Sequence, residues 1–206
     1  MTDLLGRWHR LRHANAWIFG TMLVSACLSL IASFVLSVDA LTLAADPDAS
    51  LACNINAVIS CGTVGSSWQA HLFGFPNAYL GMLAEPVVIT IAVASLGGVR
   101  FPRWFMFSAQ VVYTLGFLFA YWLLYQSMFV IGAMCPWCLL VTVSTTLVWA
   151  TLTHVNIRDG SLYLRPRLQE RLAGWIKADL DWIVVVIWLL ILVLVTVLKY
   201  GDALFA

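Results

Sequence analysis

The sequence predicts an all-α integral membrane protein, and three observations carry the prediction. Of 206 residues, 62% are hydrophobic and only 10% are charged. Soluble domains hold about 45–50% apolar and about 25% charged residues, so this chain lacks the polar groups to cover a water-facing surface. Five apolar stretches each reach the roughly 17–25 residues that a helix needs to cross about 30 Å of hydrocarbon. The alternating segments of about ten residues that mark a membrane β-barrel are absent, which leaves helices, whose backbone hydrogen bonds close internally. The same apolar excess excludes disorder, and a formal net charge of +1 gives no reason to expect nucleic-acid binding.

The spans run over residues 16–38, 77–97, 104–125, 136–153 and 182–198. Arg7, Arg10 and Arg12 precede the first, as in a signal peptide. However, the span exceeds the usual apolar region of about 7–15 residues, and Val38-Asp39-Ala40 is a poor cleavage site, so a retained helix is expected. Lys and Arg orient the rest. Ten of the eleven basic residues lie before span 1, between spans 2 and 3, or between spans 4 and 5. Five crossings put those segments on one side, which the positive-inside rule makes the cytoplasm. The loop from 39 to 75 contains three Asp and no Lys or Arg, so it is expected outside. Trp17, Trp104, Trp182, Trp122 and Trp137 fall near span boundaries, as in aromatic belts.

Three parts are expected: a unit of the first four spans over residues 1–155, which the family resemblance given below implies is the catalytic domain, a connector over 156–181, and a fifth transmembrane helix with its outer tail over 182–206. The polar, Leu- and Arg-containing stretch 154–181 reads as a short amphipathic helix on the inner membrane surface or as a plain connector.

Cysteine placement carries the functional signal. Cys27 sits inside span 1 and reads as a small hydrophobe. Cys53, Cys61, Cys135 and Cys138 all map to the outer side, where disulfides persist in a bacterium. Cys135-Pro136-Trp137-Cys138 opens span 4, with Pro136 suited to the first helical position. Cys-x-x-Cys spacing and a helix N-terminus both favour a thiolate, while burial at the bilayer edge opposes it. A zinc site from these four cysteines is disfavoured, because only one pair has a short knuckle spacing. Static structural disulfides in a membrane scaffold remain an alternative. The reading preferred here is a relay, in which a mobile loop pair exchanges with an outside protein and passes electrons to a fixed pair.

Beneath the fixed pair, Cys135, Cys138, Thr142 and Thr145 follow helical steps and form one stripe. Asn77, Gly81 and Glu85 repeat every four residues on span 2. Glu85 lies roughly 12 Å below Asn77 at 1.5 Å per residue. An ionisable residue at that depth is a functional candidate, here for proton relay. The other reading is a protonated or paired carboxyl used in packing beside Pro86. Polar groups under a redox pair suit a lipid-soluble oxidant such as a quinone.

These residues resemble the vitamin K epoxide reductase family, specifically its bacterial members, over about residues 10–155. The resemblance rests on Cys53-Asn54-Ile55-Asn56-Ala57-Val58-Ile59-Ser60-Cys61-Gly62, Ser66-Ser67-Trp68, Leu72-Phe73-Gly74-Phe75-Pro76-Asn77 and the 135–138 motif. It implies a four-helix bundle around a quinone, menaquinone in preference to ubiquinone. It also implies that Cys53 and Cys61 take electrons from a thioredoxin-like, DsbA-type protein outside the membrane, and that Cys135 and Cys138 pass them on, with Cys138 nearest the ring. Ser67, Asn77, Thr142, Phe73 and Trp68 are then expected around the quinone. Ser67 also reads as a turn residue, and Asn77 as the N-cap of span 2. Animal members carry Tyr where this chain has Thr142, which leaves epoxide reduction outside what the resemblance carries. Many bacterial members carry a fused thioredoxin-like domain after the last helix. None follows here, so a separate partner is expected, and span 5 is expected to brace the bundle. The apolar turn Ala57-Val58-Ile59 is expected to lie on the membrane as a lid. The same chemistry run for its quinol product, a thiol-driven vitamin K quinone or epoxide reductase, is the enzymatic alternative.

Overall fold

A computed structural model describes residues 14–56 and 58–205, with side chains described through residue 201. Arg7, Arg10 and Arg12, which contribute to the orientation argument, and Ala57 of the expected lid lie outside the described residues. The elements are α1 (Asn15–Ala45), α2 (Cys61–Gly65), a 3-10 turn (Trp68–His71), α3 (Ala78–Leu96), α4 (Arg103–Tyr125) with a π-helical end (Gln126–Ile131), α5 (Pro136–Arg158), α6 (Pro166–Lys177) and α7 (Leu180–Phe205). Among the described residues there is no strand, only one isolated bridge between Ile59 and Met134. Five helices are long and apolar enough to cross a membrane, in agreement with the five expected spans.

The first span needs a correction. Residues after Val38 do not leave the helix; α1 continues through Asp39 to Ala45. Ala40-Leu41-Thr42-Leu43-Ala44-Ala45 contains no helix breaker. The helix stops at Asp46, which is extended at φ −143° because Pro47 follows it. Asp39 is therefore a helical residue rather than the first residue of a loop.

α1 packs against α3 and α5, and α4 packs against α5. Ile18, Met22, Ala26, Val88, Ile91, Val148 and Leu152 form the core between them. Ser25, Ser29, Ser33 and Ser37 are all buried. Their spacing of four puts them on one face of α1. Opposite them, a Cβ added at Gly81 of α3 would fall 2.2 Å from Ser33 Oγ. Small residues let two helix backbones approach closely where lipid offers no hydrophobic drive to association.

Val112, Leu115, Leu190 and Leu198 stand exposed on the outside of the bundle, an apolar surface suited to lipid. Polar contacts join α7 to the bundle. His154 Nδ1 meets Asp181 Oδ2 at 2.6 Å, Trp188 Nε1 donates to Tyr121 Oη at 2.7 Å, and Tyr200 Oη donates to the Met128 carbonyl at 3.1 Å. The connector does contain an amphipathic helix, but only over Pro166–Lys177, since α5 extends to Arg158.

Candidate functional site

Short-range hydrogen bonds shape the cysteine loop. Asn54 Oδ1 accepts from Ser60 Oγ at 3.0 Å and from the Gly62 N–H at 2.9 Å. Asn56 Oδ1 accepts from the N–H groups of Val58 and Ile59. Ser60 caps α2 by accepting from the Thr63 N–H. On the facing segment the π-helical end of α4 stops at Gly132, whose φ of 77° favours glycine. Ser127 Oγ then holds the Ala133 carbonyl at 2.6 Å. The two segments are stitched together: the Met134 N–H donates to the Val58 carbonyl at 2.8 Å, and the Ser60 N–H donates to the Met134 carbonyl at 3.1 Å.

This stitching corrects the expected lid. Ile59 is 1% exposed and packs with Leu124, Met128 and Met134; it anchors the loop to the bundle instead of lying on a membrane surface. The consequence is that Cys61, first residue of α2, meets Cys135, N-cap of α5, with the sulfurs 3.1 Å apart. Cys53 and Cys61 form a disulfide with Cα atoms 5.6 Å apart. Cys135 and Cys138 are thiols, as is Cys27 in α1. Cys53, Cys61 and Cys135 are buried together with Leu51, Val64 and Ala133.

At the start of α5 the Cys138 N–H donates to Cys135 Sγ at 3.4 Å. The Cys138 side-chain hydrogen bond holds the Cys135 thiol below its ordinary value; burial opposes this, and the N–H groups of Cys138 and Trp137 add to it. At Cys135 the hydrogen bonds thus outweigh burial, and the thiol's pKa is lowered.

A cavity of about 630 Å³ lies below the sulfurs between α1, α3, α4 and α5, within the usual range for small-molecule sites. Cys61, Cys135, Cys138, Thr142 and Thr145 line it, as do Ser67, Asn77, Gly81 and Glu85. Both stripes expected from helical spacing therefore face one space. Ser67 Oγ donates to the Val64 carbonyl at 2.6 Å, so the turn role holds alongside its place on the wall. Asn77 occupies the N-cap position of α3, as expected, but its side chain makes no capping hydrogen bond. Its Nδ2 donates to the Gln69 carbonyl at 2.6 Å, while its Oδ1 is buried with no hydrogen-bond partner. Glu85 Oε1 accepts from Ser29 Oγ at 2.7 Å and Tyr113 Oη at 3.1 Å, and its Oε2 is buried without a partner.

Trp68 and Phe73 require a correction, since neither lines the cavity. Trp68 is 65% exposed and sits edge-on to Trp122, because the 3-10 turn directs it outward. Phe73 stacks on Phe75 and packs against Phe119; Phe119 is the wall residue. Sequence reasoning missed Ser29, Tyr113 and Asp39 on the same wall. The period-four serines of α1 were a readable signal for Ser29, whereas Tyr113 had none.

The cavity suits a flat, largely apolar ring with oxygen functions. Its wall is mainly apolar, and two buried acceptor atoms, on Asn77 and Glu85, have no donor; a hydroxyl, as on the reduced form of such a ring, can supply one, whereas a carbonyl cannot. An all-helical membrane bundle with two cysteine pairs meeting above such a cavity is the arrangement of a membrane thiol–disulfide oxidoreductase. The sequence profile of the vitamin K epoxide reductase family matches residues 21–153, and the chain belongs to that family. The family exchanges thiols and disulfides with a quinone or vitamin K as electron carrier. No curated protein matches the chain.

Proposed function

We propose that the protein reoxidises a separate thioredoxin-like, DsbA-type protein and reduces a membrane quinone, menaquinone in preference to ubiquinone, in a bacterial cytoplasmic membrane. Its cysteine end faces outward, and its catalytic unit is residues 1–155. The observation that carries this reading is the 3.1 Å approach of Cys61 to Cys135 above the cavity. The lack of Lys and Arg in segment 39–75 supports the orientation.

A partner thiolate attacks Cys53, forming a mixed disulfide and releasing Cys61. Cys61 attacks Cys135 of an oxidised Cys135–Cys138 pair, forming a Cys61–Cys135 bridge and releasing Cys138. The partner's second thiol attacks its own mixed disulfide, so the partner leaves oxidised and Cys53 is freed. Cys53 then attacks Cys61, restoring Cys53–Cys61 and releasing Cys135. The result is a closed loop pair and two free thiols at 135 and 138. Because Cys53 is buried, the partner's first attack requires local opening of the loop.

Bound quinone supplies an acceptor for two electrons and two protons. Cys138 and Thr142 on α5, with Ser67 and Asn77 across from them, would hold its ring. Glu85, between the Ser29 and Tyr113 hydroxyls, would hold or move a proton at Oε2. The reading is tested by trapping mixed disulfides in single Cys→Ser variants at 53, 61, 135 and 138. Cys61→Ser is expected to retain a thioredoxin-like protein on Cys53, and quinone depletion to accumulate reduced Cys135 and Cys138. If all four cysteines stay oxidised without quinone, the protein is a scaffold with structural disulfides.

A further inference from the structure

We propose that Asp39 is the acid–base catalyst of the resolving step, in which the bridge passes from Cys61–Cys135 back to Cys53–Cys61; this rests on the relay proposed above. Three observations meet at this residue. The continuation of α1 carries Asp39 24 residues past Asn15, about 36 Å along the axis and so at the cysteine end of the bundle. Asp39 Oδ2 lies 3.6 Å from Cys53 Sγ, and a carboxylate oxygen of Asp39 and the sulfurs of Cys53 and Cys61 all lie within 4.8 Å of one another. Asp39 also lines the cavity with Cys135 and Cys138, and its charge opposes a thiolate at Cys135.

The chemistry calls for a base at this place. Only a thiolate attacks a disulfide, and an ordinary thiol, with a pKa near about 8.5, is mostly protonated at neutral pH. A carboxylate beside Cys53 makes the free thiolate scarcer still, yet it stands within reach to take the proton as attack begins. In the step, the Cys53 S–H bond breaks and Asp39 gains the proton. The Cys53–Cys61 bond forms as the Cys61–Cys135 bond breaks, and Cys135 departs with the electron pair. The Asp39 carboxyl then returns the proton to Cys135. No proton is gained or lost overall, and no outside oxidant is needed.

Other titratable groups face the same space. His71 of the 3-10 turn lines the cavity, with Nδ1 at 3.4 Å from the Ser67 carbonyl. Glu85 and Tyr113 line it deeper in the bundle, whereas Asp46 and Asp48, on the loop after α1, are not on its wall. Among the described residues, no Lys or Arg lines the cavity.

The test is a single turnover of the fully oxidised, full-length protein in lipid nanodiscs, with dithiothreitol as the reductant. Acid quenching, alkylation and mass spectrometry separate the Cys61–Cys135 bridge from the Cys53–Cys61 bridge. Asp39→Asn is expected to accumulate the Cys61–Cys135 species and to slow its conversion at least about tenfold at pH 7. The difference should shrink towards pH 9, as Cys53 ionises unaided, and Asp39→Glu should restore most of the rate. Wild-type conversion by Asp39→Asn, or a deficit equal at every pH, overturns the inference while leaving the relay standing. A profile moved by His71→Gln and not by Asp39→Asn makes His71 the base and also overturns it. If the wild-type protein never reduces Cys135 and Cys138, the relay itself fails.

Discussion

Cys135 Sγ stands 3.1 Å from Cys61 Sγ although 74 residues separate them, and Cys61 is already bonded to Cys53. Three sulfurs thus lie in one continuous contact, Cys53 bonded to Cys61 and Cys61 against Cys135, so a disulfide can shift by one position. In a Cys53→Ser, Cys138→Ser double variant, only Cys61 and Cys135 remain of the four. Mild oxidation should join them nearly completely, as read by non-reducing peptide mass mapping. Free thiols at both positions after oxidation would contradict the alignment.

The approach of α3 to α1 at Gly81 sets the width of the cavity on that side. Gly81→Ala places a Cβ against Ser33 Oγ, and overpacking of this kind costs about 1–3 kcal/mol. Thermal unfolding in detergent should register the loss. Ser33→Gly should recover much of it in the double variant, because the two sites share one contact. Additive losses would show that the glycine matters for some other reason.

Glu85 separates a structural from a chemical role. Glu85→Gln keeps an oxygen to accept from Ser29 and Tyr113, so stability should change little. Glu85→Leu removes the acceptor that both buried hydroxyls share and should cost about 1–3 kcal/mol for each. If Oε2 handles a proton, Glu85→Gln slows thiol-dependent quinone reduction in proteoliposomes despite a normal unfolding temperature. Unchanged rates across pH in that variant would remove Glu85 from the proton route.

Asn54 holds the cysteine loop through Ser60 Oγ and the Gly62 N–H. Asn54→Ala should lower loop stability by about 1–2 kcal/mol, the worth of two modest hydrogen bonds. The helices should be unaffected by circular dichroism, while Cys53 alkylates faster after reduction and the internal disulfide shift slows. Alkylation at the wild-type rate would mean that the backbone stitching to Met134 suffices alone.

Much of the site was legible because membrane helices make polarity a one-dimensional signal. The steps Cys135, Cys138, Thr142, Thr145 and Asn77, Gly81, Glu85 each name one face from spacing alone, and both faces line the cavity. A motif names residues without giving their side chains a direction. Trp68 and Phe73 lie within the matching segments, yet the 3-10 turn and the ring packing on Phe119 carry them off the wall. Asp39 was placed in a loop because a charge was taken to end a span, although the helix formers after it carry α1 on to Ala45.

By itself, the sequence determined that the chain is a five-span helical membrane protein with two cysteine pairs at one end, because hydropathy and helical period are local properties. Only the tertiary structure decided which sulfur meets which. That depends on backbone hydrogen bonds between residues 58–60 and Met134, which pair atoms far apart in the chain. It likewise decided that Ser29, Tyr113 and Glu85 from three helices form one cluster, and that Asp39 stands against Cys53. Such contacts follow from helix packing and side-chain direction, which no single helix encodes.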